Sequence, residues 1–172
     1  MEAPPNPILR LVTAKDVETF YLQQIDPEAQ RMAAFLAPGT NDRAAFFERW
    51  FTILSNPKVA ARTIEHEGLV TGHVVSFPEG DQLHVGYWIG KRHWGRGLAT
   101  RGLALLLEEL GPRELHACTA SENLASARVL QKNGFTQTGT RVAYAAALDR
   151  DVTECLWIRN AESGSPSSQA PR

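Results

Sequence analysis

The chain has 172 residues, of which 43% are hydrophobic and 22% charged, and a formal net charge of −1. That length suffices for one buried core, and the near-zero charge supplies no global field to draw the chain to nucleic acid or to an anionic membrane. Two cysteines, Cys118 and Cys155, lie in apolar stretches without histidines at metal spacing, so they read as buried thiols in a reducing compartment. The opening MEAPPNPILR has no basic start or apolar run, and no apolar stretch approaches a membrane span. The expectation is a cytoplasmic domain with no metal, no nucleic-acid partner and no membrane contact.

ILRLVT (8–13) predicts a first strand, and AKDVETFYLQQI (14–25) a helix with Val17, Phe20 and Tyr21 at helical spacing. Residues 26–42 are less regular and are broken by Pro38-Gly39. A second helix is predicted from Asp42 to Leu54, with Phe46, Phe47, Trp50, Phe51 and Leu54 on one broad face. Three strands at hairpin spacing follow, KVAARTIEHE (58–67), LVTGHVVSF (69–77) and QLHVGYWIG (82–90), with turns at Gly68 and PEGD (78–81).

A leucine-rich helix follows over 98–110 and a strand over 113–120. Next comes a short helix over 123–133, with Asn123 as N-cap and Gly134 as its left-handed C-terminal residue. Two final strands flank the turn LDRD, and the tail 161–172 has too little apolar surface to order itself. The order is β-α-α-β-β-β-α-β-α-β-β, and the helix at 98–110 can join two parallel strands as a crossover.

HWGRGLAT (93–100) leads into that leucine-rich helix. Gly95 and Gly97 allow positive φ and close approach of a ligand to the backbone. Unpaired N–H groups and the dipole at the helix start form an anion site suited to a pyrophosphate, with Lys91, Arg92, Arg96 and Arg101 nearby and Thr100 as a further donor. The alternative is a tight turn with solvated cations. No Lys-Ser or Lys-Thr follows the second glycine, which excludes a nucleoside-triphosphate loop.

One strand later comes ENLASARVLQKNGF (122–135). The succession GYWIG…WGRGLAT, leucine helix, strand, KNGF resembles the GNAT superfamily of acetyl-CoA-dependent N-acetyltransferases, and most of all its branch of ribosomal-protein N-terminal acetyltransferases. The resemblance implies an α/β (α+β) fold: a mixed, mostly antiparallel sheet of about seven strands with about four helices, its central strands parallel and splayed, forming a single domain over 1–160. It places the pyrophosphate loop on Trp94, Gly95, Arg96, Gly97, Leu98, Ala99 and Thr100, with Trp94 where glutamine or arginine is usual. Arg92 and Arg96 become candidates for the phosphates, Asn123 for the pantetheine arm, and Ser126 for the small or hydroxyl residue one helical turn later.

The resemblance further implies acetyl-CoA as cosubstrate and direct transfer to a primary amine, either a protein N-terminus or a small molecule, by a monomer or homodimer. A main-chain N–H near Trp88 or Ile89 would hold the acetyl oxygen. Where many relatives carry a glutamate base, this chain has His84, whose neutral imidazole can accept a proton near pH 7; the alternative is a structural histidine. Where many carry a tyrosine acid, it has Leu130, which leaves Ser126 or water to protonate the thiolate. Both substitutions keep a noncatalytic acyl-CoA-binding module open as an alternative.

Overall fold

The computed structural model describes residues 6–161, so the tail expected to be disordered lies, from residue 162 onward, outside the described residues. The elements are β1 (Ile8–Leu11), α1 (Ala14–Gln24), α2 (Pro27–Ala33), α3 (Arg43–Ser55), β2 (Ala60–His66), β3 (Leu69–Glu79), β4 (Gln82–Ile89), α4 (Leu98–Leu110), β5 (Leu115–Ala120), α5 (Leu124–Lys132), β6 (Thr136–Ala145) and β7 (Arg150–Arg159). The seven strands form one sheet in the order β1-β2-β3-β4-β5-β7-β6. Every neighbouring pair is antiparallel except β4 with β5, where α4 makes the crossover. That parallel pair shares a single register pair, His84 with His116, beyond which the two strands part.

Side chains alternate across this sheet. Ile64, Val74, Val85, Leu115, Ala117 and Trp157 meet Leu103, Leu106 and Leu107 of α4 and Leu130 of α5 on one face. On the opposite face Ala61 and Val75 meet Val17 and Phe20 of α1 with Phe46 and Trp50 of α3. The close fit of α4 is visible at Gly102, where an added Cβ would stand 2.6 Å from Ile64 Cδ1. The end of β1 and the start of α1 are fixed by Thr13, whose hydroxyl caps the Asp16 N–H while the Asp16 carboxylate takes the Thr13 N–H. Asp16 also accepts from Arg10 and, at 2.9 Å, from the buried Thr63 hydroxyl of β2.

Two expectations need correction. Residues 27–33 are helical, giving five α-helices among the described residues rather than about four. Asp26 caps the Glu28 and Ala29 N–H groups and Pro27 takes the first turn, a start signal that outweighs the breaker at Pro38-Gly39 further on. The broad face assigned to the second helix is also too wide: Phe46 and Trp50 are buried, whereas Phe51 is 74% exposed and Leu54 45% exposed. The sheet meets only one stripe of α3, and residues one position beyond Trp50 turn to solvent.

Candidate functional site

The end of β4, the loop after it and the first turn of α4 open on a cavity of about 480 Å³. A short 3-10 turn, Lys91–His93, leads into it, burying His93 and leaving Arg92 on the surface. Gly95 and Gly97 both take positive φ, +74° and +71°. Gly97 is the N-cap of α4, with no side chain capping the helix. The first bond into α4 is from Arg101 N–H to the Gly97 carbonyl, and among the loop and cap hydrogen bonds of the described residues none uses the N–H of residues 95–100. Six successive donors therefore stand at the cavity rim without backbone partners, at the positive end of a 13-residue helix. A Cβ on Gly95 would meet nothing of the protein within 4 Å, so the space before it is open.

Neighbouring residues hold this rim in place. Trp94 Nε1 donates to the Ile89 carbonyl at 2.8 Å and ties the loop to the end of β4. Arg101 donates to the Arg96 carbonyl at 2.6 Å. Asn133, from the KNGF stretch, donates to the Thr100 carbonyl at 3.1 Å and to the Val129 carbonyl at 2.9 Å, locking the last turn of α5 onto the first of α4. Asn123 caps α5 by accepting from the Ser126 N–H at 3.0 Å, which leaves its amide nitrogen to the cavity it lines.

The cavity is lined by Trp88, Ile89, Trp94, Asn123 and Ser126 together with the loop 95–100. It does not include Arg92, which is exposed on the 3-10 turn. Arg96 lines it, yet its guanidinium is held by Glu67 at 2.9 Å and lies 3.3 Å from His66 Nδ1. The cations that line the cavity without a carboxylate partner among the described residues are Arg128 and Lys132 of α5, four apart on one helix face. Their i, i+4 spacing behind Asn123 was the available signal. The tip of α2, with Ala29, Met32 and Ala33, closes the far side.

Tyr87 is another lining residue that the sequence pattern did not single out. Its hydroxyl donates to the Ser126 carbonyl at 3.1 Å and lies 2.7 Å from Ser126 Oγ, where either oxygen can be the donor. Burial pushes the phenol up to about 12, against the pull of the Ser126 hydrogen bond, so it stays protonated at neutral pH. Strand parity alone, with Val85 and Tyr87 on the α4–α5 face, pointed to this.

His84 lies on the other face of the sheet, apart from Ser126 and outside the cavity lining. It is 9% exposed, stacks on Phe77 at 5.9 Å and on His116 at 5.4 Å, and places Nε2 3.2 Å from Gln82 Oε1 and 3.5 Å from a Glu79 carboxylate oxygen. Burial holds its pKa below the ordinary value; Glu79 opposes this, and His116 and Arg141 add to it. Cys118 and Glu154 complete this face, with burial and then Glu154 pushing the thiol up to about 11. Cys118 and Cys155 are both free thiols. Among the described residues no group of three or more His, Cys, Asp or Glu side chains could hold a metal ion, and no helix is long and apolar enough to cross a membrane.

An uncapped glycine turn at the mouth of a crossover helix, beside two parting parallel strands, defines a family. The acetyltransferase (GNAT) domain profile matches residues 7–136, and the chain belongs to the GNAT acetyltransferases. Among curated proteins it is similar to the FsC-acetyl coenzyme A-N(2)-transacetylase of Aspergillus fumigatus, at 29% identity over 132 residues, covering 67% of this chain; it spans 56% of that relative's length. Among solved structures it resembles spermidine N-acetyltransferase from Vibrio cholerae bound to CoA and spermine, with a TM-score of 0.76, 14% identity, and coverage of 89% of this chain and 94% of that one. It likewise resembles ribosomal-protein-alanine N-acetyltransferase from Brucella melitensis, with a TM-score of 0.73, 21% identity, and coverage of 89% and 99%.

Proposed function

We propose that this protein transfers the acetyl group of acetyl-CoA to a primary amine, a protein N-terminus or a small molecule, within a ternary complex. One observation carries the reading: six consecutive N–H groups, 95–100, without backbone partners at the rim of a cavity of about 480 Å³. An unpaired donor array at a helix start fits the diphosphate of coenzyme A, and Arg128 and Lys132 supply cations further along the same cavity. The relatives named for spermidine and for a ribosomal-protein alanine both act on amines, which supports an amine acceptor here.

The coenzyme arm would enter from the α4–α5 face and end between β4 and β5, where β4 loses its β5 partner after His84. A main-chain N–H near Trp88 or Ile89 would then be available to the acetyl oxygen as charge develops on it. The amine nitrogen attacks the carbonyl carbon, the new C–N bond forms, and the C–S bond breaks. The proton leaving nitrogen goes to His84 on the opposite face. His84 and Trp88 are four positions apart, about 13 Å of strand, so this transfer runs through water. The thiolate takes a proton from Ser126 Oγ, which Tyr87 can resupply across their hydrogen bond. Each half-reaction thus has its own face of the sheet.

The test is a thiol-release assay with acetyl-CoA and a panel of amines and N-terminal peptides, run beside calorimetric titration of acetyl-CoA. Amine-dependent release supports the reading. Coenzyme binding with no release for any amine would favour a noncatalytic acyl-CoA module, the alternative suggested by the fully buried Leu130 at the usual tyrosine place.

A further inference from the structure

The only register pair that bridges β4 and β5 consists of two histidines, His84 and His116. Their rings stack with centroids 5.4 Å apart and planes 30° apart, and both residues are buried. Each ring is tethered at Nε2 to an oxygen two residues earlier on its own chain segment: His84 to Gln82 Oε1 at 3.2 Å, and His116 to Glu114 Oε1 at 2.9 Å. A carboxylate can only accept, so Glu114 fixes the proton of His116 on Nε2; the nearby Glu79 carboxylate, 3.5 Å from His84 Nε2, does the same for its neighbour. The tautomer that follows leaves Nδ1 as the basic atom of His84, and no hydrogen bond among the described residues engages that atom.

We propose that His116 is a positioning residue for His84: stacked on it and anchored by Glu114, it fixes the ring with Nε2 toward Gln82 and Glu79, so that the two imidazoles hold protons as one coupled unit. This rests on the reading of His84 as the base. Two imidazolium ions at such a separation repel, so a proton on either ring disfavours a proton on the other. The unit keeps a neutral imidazole available for the amine's proton down to lower pH than an isolated histidine would. The groups facing His84 are Phe77 and Glu79 from β3, Gln82 from β4, His116 and Cys118 from β5, Arg141 from β6 and Glu154 from β7, with Arg141 and Glu154 ion-paired to each other.

Imidazole carbon-bound proton resonances followed by NMR against pH test the pair directly, in wild type, His116→Phe and His116→Gln. The phenyl ring keeps the stack without charge, and glutamine provides a second variant should phenylalanine perturb folding. In wild type, His84 should titrate in two steps. In either variant it should collapse to one step and move upward by about 1 pH unit or more, and the acid limb of kcat/KM should move with it. A single-step His84 curve in wild type, unmoved by both substitutions, overturns the pair whatever the activity. A moved curve with an unmoved acid limb supports the pair and removes His84 as the base.

Discussion

Gly95→Ala separates backbone strain from ligand space. At φ +74° an alanine is strained by about 1–2 kcal/mol, yet its Cβ would meet no protein atom within 4 Å. The strain alone lowers Tm by roughly 2–8 °C for a domain of this size. If diphosphate oxygens occupy the open space, the same methyl group displaces them from at least one N–H. A charge-assisted hydrogen bond contributes about 1.5–3 kcal/mol, so the Kd for acetyl-CoA should rise about ten- to a hundredfold. Gly80 is the internal control: it has φ +58°, likewise has nothing within 4 Å, and sits in the β3–β4 turn away from the cavity. Calorimetric titration of both variants with acetyl-CoA should show loss of affinity in Gly95→Ala alone, while thermal unfolding shows comparable losses in both. Binding by Gly95→Ala within twofold of wild type, or an equal loss in Gly80→Ala, would refute the cradle.

Two further outcomes follow from buried hydroxyl and imidazole groups. Tyr87→Phe removes the hydroxyl 2.7 Å from Ser126 Oγ; steady-state kinetics should show kcat reduced about tenfold with acetyl-CoA affinity within about twofold, and an unchanged kcat takes the pair off the thiolate side. His73, buried between Phe20 and Trp50, is held down to about 3 by burial, with Arg49 pushing the same way, against an ordinary 6.5. Its folded pKa is the lower one, so its contribution is complete above pH 6.5 and is lost as pH falls: about 2 kcal/mol between pH 6.5 and pH 5. Urea unfolding of His73→Phe at those two pH values should lack that loss, and an identical pH dependence in the variant refutes it.

Much of this molecule was legible in the sequence because its signals were local. The turn at Gly68, the cap at Asn123 and the left-handed Gly134 stand where residue chemistry put them. The leucine stripe of α4 and the glycine loop before it did so too. The short α2 had its own signal in Asp26-Pro27-Glu28, masked by the breaker a few residues on. What stayed hidden depended on register across the sheet. Nothing near His84 in sequence foretells His116, 32 positions later, because the pairing passes through the α4 crossover. The Tyr87–Ser126 contact likewise needs α5 laid against β4, and the removal of Arg92 from the cavity depends on a single 3-10 turn.

Joined between β4 and β5 by a single rung, the sheet amounts to two stiff half-sheets, four strands and three, meeting at a seam. Beyond that rung no further β4–β5 register pair follows among the described residues, and at the end of β4 Trp94 Nε1 takes the Ile89 carbonyl. A guest suited to such a seam would be extended and narrow, with amides able to stand in for a missing strand whatever its end group. A guest of that shape would fasten the two halves together, making rigidity a property of the occupied molecule rather than of the chain alone.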